Sequence, residues 1–108
     1  MDTLVVNLAT TVQKVVEDYA EGYWAKASGY AVSDTVHQVY TVLAVPDYPR
    51  KFRAGIVVLA RVAGDTVYIE EDITDRPLVH ELVRAGIPRE KIVCVYLGEG
   101  DKIETTSK

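Results

Sequence analysis

Apolar residues recur at spacings of three and four along the first twenty positions of the chain. The stripe consists of Leu4, Val5, Leu8, Val12, Val15, Val16 and Tyr19. This spacing matches the period of an α-helix and predicts an amphipathic helix from near the start of the chain to Ala20, ended by Gly22. Its β-branched residues have modest helix propensity, so packing against a sheet must stabilise the helix.

From Tyr30 onward the apolar residues form short runs that predict β-strands. The runs are residues 30–32, 36–45, 54–62 and 66–71. Polar turns at residues 33–35 and 63–65 separate consecutive runs, and such short turns favour antiparallel pairing.

A second helix is predicted after the fourth strand. Asp72, Thr74 and Asp75 offer side-chain oxygens to the free N–H groups of a first turn, so the helix should begin near Asp75 with Pro77 in that turn. Its apolar stripe should hold Leu78, Val79, Leu82 and Val83, with His80, Glu81 and Arg84 pointing away from the stripe.

The predicted end of this helix is equally specific. Gly86 can adopt a left-handed conformation, Ile87 can fold back onto the last turn, and Pro88 prevents the helix from resuming. The apolar run 92–97 then predicts a closing strand. Together the elements predict an α+β fold in a single domain, residues 1–108, with an N-terminal helix, a four-stranded antiparallel sheet, a short helix and a closing strand. Residues 101–108 should form a disordered tail.

Composition narrows the class of protein. The net charge is −4 with acidic residues spread along the chain, so direct binding to nucleic acid is not expected. No apolar run approaches the length of a membrane span, and Cys94 is the single cysteine. These features predict a cytoplasmic protein with no disulfide and no cofactor.

An apolar run in the third strand suggests a partner. Residues Ile56 to Leu59 are apolar at successive positions, which predicts burial on both faces of the sheet and therefore a homodimer or a hetero-complex built on it.

Residues 48–53 interleave cations with aromatic rings. We favour a solvated hairpin tip with Phe52 turned into the core, while contact with nucleic acid is the alternative.

The titratable residues do not predict an active site. Two histidines, His37 and His80, cannot form the paired spacing of a metal-binding helix. In an alternating strand the carboxylates of residues 70–72 would not converge without a bulge. A divergent hydrolase using Asp72, His80 and Glu81 remains the weakest alternative.

A series of short motifs resembles one known family. The motifs are Asp72, Thr74-Asp75, Leu78-Val79, Glu81-Leu82, Gly86-Ile87-Pro88-Arg89 and Ile92-Val93, preceded by the strand residues 64–69. In them the chain resembles the XisI family, the excision controlling factors of the fdxN element type.

The resemblance implies a non-enzymatic accessory protein that acts through protein contacts with a nuclease-like companion, XisH, in excision of a DNA element. The residues that we predict to make these contacts are Tyr48, Arg50, Lys51, Arg53, His80, Glu81 and Arg84. The chain departs from the family pattern at Pro46-Asp47, at Leu59 and at Arg61, and it lacks the family's Pro-rich tail.

An alternative function follows from the tyrosines. The chain contains seven tyrosines, and this side chain suits half-exposed binding surfaces. The alternative is a homodimeric module that binds a small molecule or peptide in a pocket formed by Tyr23, Trp24, Tyr30 and Tyr40.

Overall fold

A computed structural model describes residues 2–21 and 26–99, with side chains described from Leu8 onward. The helices are α1 (Asp2–Asp18), extended by a 3-10 turn (Tyr19–Glu21), and α2 (Leu78–Arg84). The strands are β1 (Ala27–Asp34), β2 (Val39–Pro46), β3 (Gly55–Ala63), β4 (Thr66–Asp72) and β5 (Ile92–Cys94). Single 3-10 turns cover Arg89–Lys91 and Val95–Leu97. Gly22, Tyr23, Trp24 and the predicted tail lie outside the described residues.

The five strands form one mixed sheet in the order β1-β2-β3-β4-β5. The first four strands pair antiparallel, as predicted, whereas β5 pairs parallel to β4 with Val67 beside Ile92. A parallel neighbour requires a crossover connection, and the segment that contains α2 supplies it. The predicted closing strand is therefore a fifth, parallel member of the sheet.

One face of the sheet, the inner face, carries the core. Alternate residues of β2, among them Tyr40 and Val42, are buried there. The buried residues of α1, Leu8, Val12 and Val16, belong to the same cluster. Helix α2 contacts both α1 and β4, so the two helices cover the same face.

Helix α2 begins at Leu78, three residues later than predicted, and Pro77 precedes the helix. The reason is a cap from earlier in the chain: Asp72 Oδ2, six residues before Leu78, accepts a hydrogen bond from the Leu78 backbone N–H at 2.7 Å. Asp72 Oδ1 accepts bonds from the Thr74 backbone N–H at 2.9 Å and from the Thr74 hydroxyl at 2.7 Å. The same carboxylate thus folds the connection and caps the helix.

The end of α2 follows the prediction. Gly86 has a φ of 110°, and its N–H donates to the Val83 carbonyl at 3.0 Å. The Ile87 N–H donates to the Leu82 carbonyl at 3.1 Å, and the Ile87 side chain is buried. This is the Schellman arrangement. Val83, however, is 41% exposed, because it lies at the edge of the narrow stripe formed by Leu78, Val79 and Leu82.

Two strand boundaries differ from the prediction. The first hairpin turns at residues 35–38 rather than 33–35, because Asp34 Oδ1 accepts hydrogen bonds from the N–H groups of Val36 and His37 at 3.0 and 3.1 Å. Val36 is consequently exposed in the turn. Strand β5 ends at Cys94, whose N–H donates to Glu99 Oε1 at 2.9 Å, and a 3-10 turn replaces the rest of the predicted strand.

Candidate functional site

The face of the sheet opposite the helices, the outer face, is apolar and partly exposed. Register places Tyr30 beside Leu43, and Thr41 beside Leu59, on this face. Tyr30, Val32 and Ile56 are 53%, 48% and 42% exposed. The apolar members of the outer face are Tyr30, Val32, Val39, Leu43, Val45, Ile56, Leu59, Tyr68 and Val93. In the described part of the chain, both helices pack on the inner face.

A bulge explains the successive apolar residues of β3. Val42 pairs with Val58 and Leu43 pairs with Ile56, which leaves Val57 as an extra residue. Val57 and Val58 are both buried, because a bulge interrupts the alternation of side chains. Within the single chain Ile56 is exposed and Leu59 is half-buried, so the chain itself leaves this run uncovered on the outer face, and burial of that face by a partner stays a prediction.

A second bulge in β4 places Asp72 on the inner face and leaves Glu70 and Glu71 on the outer side. Leu59 pairs with Glu71 and Ala60 pairs with Ile69, so Glu70 is the extra residue. Its Oε2 lies 2.6 Å from the Nε of Arg61 on the outer face, while Asp72 is buried in its cap. Among the described residues no group of three His, Cys, Asp or Glu side chains could hold a metal ion.

Arg61 organises the polar part of the outer face. Besides its ion pair with Glu70, its guanidinium carbon lies 4.4 Å from the centroid of the Tyr68 ring. Leu59 and Arg61, where the chain departs from the family pattern, therefore both lie on the outer face.

A groove between α1 and α2 contains two of the predicted contact residues, Glu81 and Arg84. It has a volume of about 270 Å³ and a mixed lining of apolar, acidic and basic groups. The lining residues are Lys14, Val15, Asp18, Tyr19, Arg76, Glu81, Arg84 and Ala85. His80 is exposed and is not among them.

Tyr19 connects the floor of this groove to the chain before α2. Its hydroxyl donates to the Arg76 carbonyl at 2.6 Å, and the Arg76 guanidinium carbon lies 4.1 Å from the ring centroid. Burial raises the pKa of Tyr19 to about 12. The hydroxyl is therefore protonated at neutral pH and serves as a structural donor.

The loop between β2 and β3, residues 47–54, forms a second cavity. Its volume is about 530 Å³, and its lining residues are Lys26, Asp47, Tyr48, Pro49, Lys51 and Phe52. Tyr48 is 85% and Phe52 51% exposed, so the expectation that Phe52 turns into the core is wrong. The alternation of rings and cations was the sequence signal for this loop. No such signal indicated Lys26, which joins the cavity because its backbone carbonyl accepts a hydrogen bond from the Asp47 N–H at 2.9 Å.

Two residues of the alternative tyrosine pocket, Tyr30 and Tyr40, do not lie together. Tyr30 lies on the outer face and Tyr40, 2% exposed, on the inner face, so the sheet separates them. Tyr23 and Trp24 lie outside the described residues.

The residues of the hydrolase alternative are also separate in role. Both oxygens of Asp72 accept hydrogen bonds from its own connection and helix, and His80 is exposed. Cys94 is buried, and burial raises the pKa of its thiol, which disfavours the reactive thiolate. Within residues 2–21 and 26–99, no helix is long and apolar enough to cross a membrane.

Comparison with known proteins identifies the family. The family model described as XisI protein matches residues 1–105. A comparison with curated proteins found no similar sequence. The fold is similar to the crystal structure of a XisI-like protein from Anabaena variabilis ATCC 29413, with a TM-score of 0.72 and 24% identity over 83% of this chain and 84% of the other.

It is also similar to the crystal structure of the fdxN element excision controlling factor XisI from the same organism. That match has a TM-score of 0.66 and 22% identity, and it covers 84% of this chain and 90% of the other. At these identities the structures show the shared α+β fold, and the family match agrees with the resemblance in the motifs of residues 64–93. Because the family model spans nearly the whole sequence, the chain belongs to the XisI family.

Proposed function

We propose that this protein is a non-enzymatic accessory factor in the excision of a DNA element and acts through contacts with a nuclease-type partner similar to XisH. Membership of the XisI family supports the proposal, as does the fold shared with a protein described as an excision controlling factor. Family analogy supplies the biological context, while the chemistry of the surface must supply the mechanism.

The outer face of the sheet is the observation that carries the proposal. Tyr30, Val32 and Ile56 present apolar surface from strands β1 and β3, next to the half-buried Leu43 and Leu59. Single exposed apolar residues are common, whereas a contiguous patch marks a contact with another protein. The partner therefore packs an apolar surface of its own onto the outer face.

Charge adds selectivity to this contact. The chain carries a net charge of −4, and a protein that handles DNA is commonly basic on its DNA-binding side. Long-range attraction between the two would speed their encounter. We further propose a cytoplasmic location, which the buried free thiol of Cys94 supports because free thiols persist in reducing compartments.

A pull-down with matched variants tests the contact. Tagged wild-type protein is recovered from its native cell at moderate salt, and the captured proteins are identified by mass spectrometry. Ile56→Lys places a charge on the outer face, and Val83→Lys places the same charge on α2, at positions 42% and 41% exposed. We expect the wild type and Val83→Lys to capture a nuclease-like or recombinase protein, and Ile56→Lys to lose it.

The other outcomes are equally informative. Loss with Val83→Lys alone would move the contact to the α2 surface around His80, Glu81 and Arg84. Capture of no DNA-handling protein by the wild type would contradict the accessory function.

A homodimeric binding module is the second candidate, and the mixed charge of the outer face favours it. Arg61 and Glu70 have opposite charges and lie side by side. In a twofold dimer this ion pair would lie against its counterpart in the second copy, and the apolar residues around it would be buried. Light scattering at micromolar concentration tests this version, and a monomeric mass would contradict it.

A further inference from the structure

The loop of residues 47–54 differs from the other hairpin connections of the sheet. The β1–β2 turn covers residues 35–38 and the β3–β4 turn residues 64–65, within the usual two to five residues. The β2–β3 loop is longer and exposes two rings, Tyr48 and Phe52, which line the same cavity of about 530 Å³. This volume is within the range of sites that hold small organic groups.

Positive charge is concentrated around these rings. Lys26 and Lys51 line the cavity, and the loop adds Arg50 and Arg53, against one carboxylate, Asp47. The guanidinium carbon of Arg50 lies 5.7 Å from the centroid of the Tyr48 ring. A protein with a net charge of −4 thus carries a local basic and aromatic site.

We propose that this cavity binds one unstacked base of a single-stranded nucleic acid. The base stacks on Tyr48 or Phe52, because every base presents a flat face that an aromatic ring can cover. The phosphates on either side of that base lie near Lys51 and Lys26, where ammonium groups neutralise their charge. This function is additional to the partner contact on the outer face and does not depend on it.

The geometry favours a single strand over a duplex or an acidic peptide. Bases in a duplex are stacked on one another, so they have no free face that could stack on the exposed rings of Tyr48 and Phe52. An acidic peptide would use the cations but would leave Tyr48 and Phe52 without a function. A single strand uses both kinds of side chain in the same site.

Fluorescence anisotropy at low salt measures the binding of a labelled oligothymidylate to the protein. The strand has about 12 nucleotides, a length suited to one small domain. Oligouridylate of the same length serves as a second probe, and binding of either strand supports the proposal.

Replacing both rings, with Tyr48→Ala and Phe52→Ala, should weaken binding by at least about ten-fold through lost stacking. Lys51→Gln should weaken binding and reduce the slope of log affinity against log salt by about 0.7, the contribution of one phosphate contact to a single strand.

Matched controls separate the site from general surface effects. Tyr30→Ala removes a ring that is 53% exposed, close to the 51% of Phe52, but on the outer face. Arg84→Gln removes a cation from α2. Both controls should bind as the wild type does, and thermal melts should show that all variants fold.

Four results would overturn the proposal. They are no binding of either strand at low salt, binding that survives removal of both rings, equal affinity for a duplex of the same length, and displacement of the strand by an oligoglutamate peptide. If the ring variant failed to fold, Lys51→Gln with an unchanged affinity and salt slope would by itself contradict the site.

Discussion

The two faces of the sheet are both apolar in sequence, yet they are used differently. On the inner face Val42 and Ile69 are fully buried beneath the helices. On the outer face Tyr30, Val32 and Ile56 keep about half of their surface exposed. Burial of apolar area stabilises a fold by roughly 25 cal/mol for each Å² removed from water. The inner face therefore stabilises the chain, and the outer face retains apolar surface that the described chain leaves unburied.

This difference makes the consequences of mutation depend on the face. A truncation beneath the helices should lower the free energy of unfolding. A truncation on the outer face should leave folding nearly unchanged and should alter association. The predictions below measure the contrast, from the largest effect on folding to the smallest.

Leu82→Ala should have the largest effect. Leu82 is fully buried on α2, and a Leu-to-Ala change in a core costs roughly 2–5 kcal/mol. His80→Ala, two residues away on the exposed side, should cost less than about 0.5 kcal/mol. Urea unfolding of both variants measures the difference. The reverse ranking would show that α2 presents its other side to the sheet.

Asp72→Ala should lower stability by about 2 kcal/mol. Its buried carboxylate accepts bonds from Leu78 and Thr74, and the loss of a charged cap leaves these donors without their acceptor. Asp75→Ala, at an exposed position in the same connection, is the control and should cost little. Circular dichroism melts compare the two, and equal effects would contradict the capping role of Asp72.

Tyr19→Phe should cost about 1 kcal/mol at neutral pH, because it removes the 2.6 Å bond to the Arg76 carbonyl. The raised pKa of Tyr19, about 12, also makes stability depend on alkaline pH. The unfolded chain ionises this tyrosine near its ordinary value of 10.0, so the stability is present below pH 10 and is lost as the pH rises toward 12.

Between pH 10.0 and about 12, Tyr19→Phe should lose less stability than the wild type. Burial raises the pKa of Tyr40 and Tyr96 as well, so part of the loss should persist in Tyr19→Phe. Unfolding measured at several pH values tests this, and identical pH profiles would contradict the assignment to Tyr19.

The ion pair of Arg61 and Glu70 should contribute least. Its side chains are 39% and 28% exposed, and such pairs couple by about 0.2–1 kcal/mol. A double-mutant cycle with Arg61→Ala and Glu70→Ala measures the coupling. A value above about 2 kcal/mol would indicate that the outer face is covered in solution, since desolvation strengthens interactions between charges.

Several local features were predictable from the sequence because neighbouring residues determine them. The apolar stripe through Leu8, Val12 and Val16 defined the buried side of α1, and Gly86 with Ile87 defined the end of α2. The alternation of rings and cations in residues 48–53 identified the loop that forms the larger of the two cavities described here. Motif resemblance also indicated the XisI family that the family model shows.

Other features depend on residues that are distant in sequence. The burial of Val57 depends on a bulge against β2, and the exposure of Phe52 depends on how the loop lies over Lys26. Asp72 caps a helix six residues away because β4 ends beneath that helix. Side-chain periodicity within one segment carries no information about such contacts between distant segments.

The sequence by itself determined the kind and order of the main helices and strands, where α2 ends, and the family, because these depend on local spacing and short motifs. The tertiary structure decided that β5 pairs parallel to β4 and that the helices cover one face of the sheet. Apolar strand residues can be buried equally well by a helix, another strand or another molecule. The arrangement of the whole chain selects among them, and here it leaves the outer face exposed.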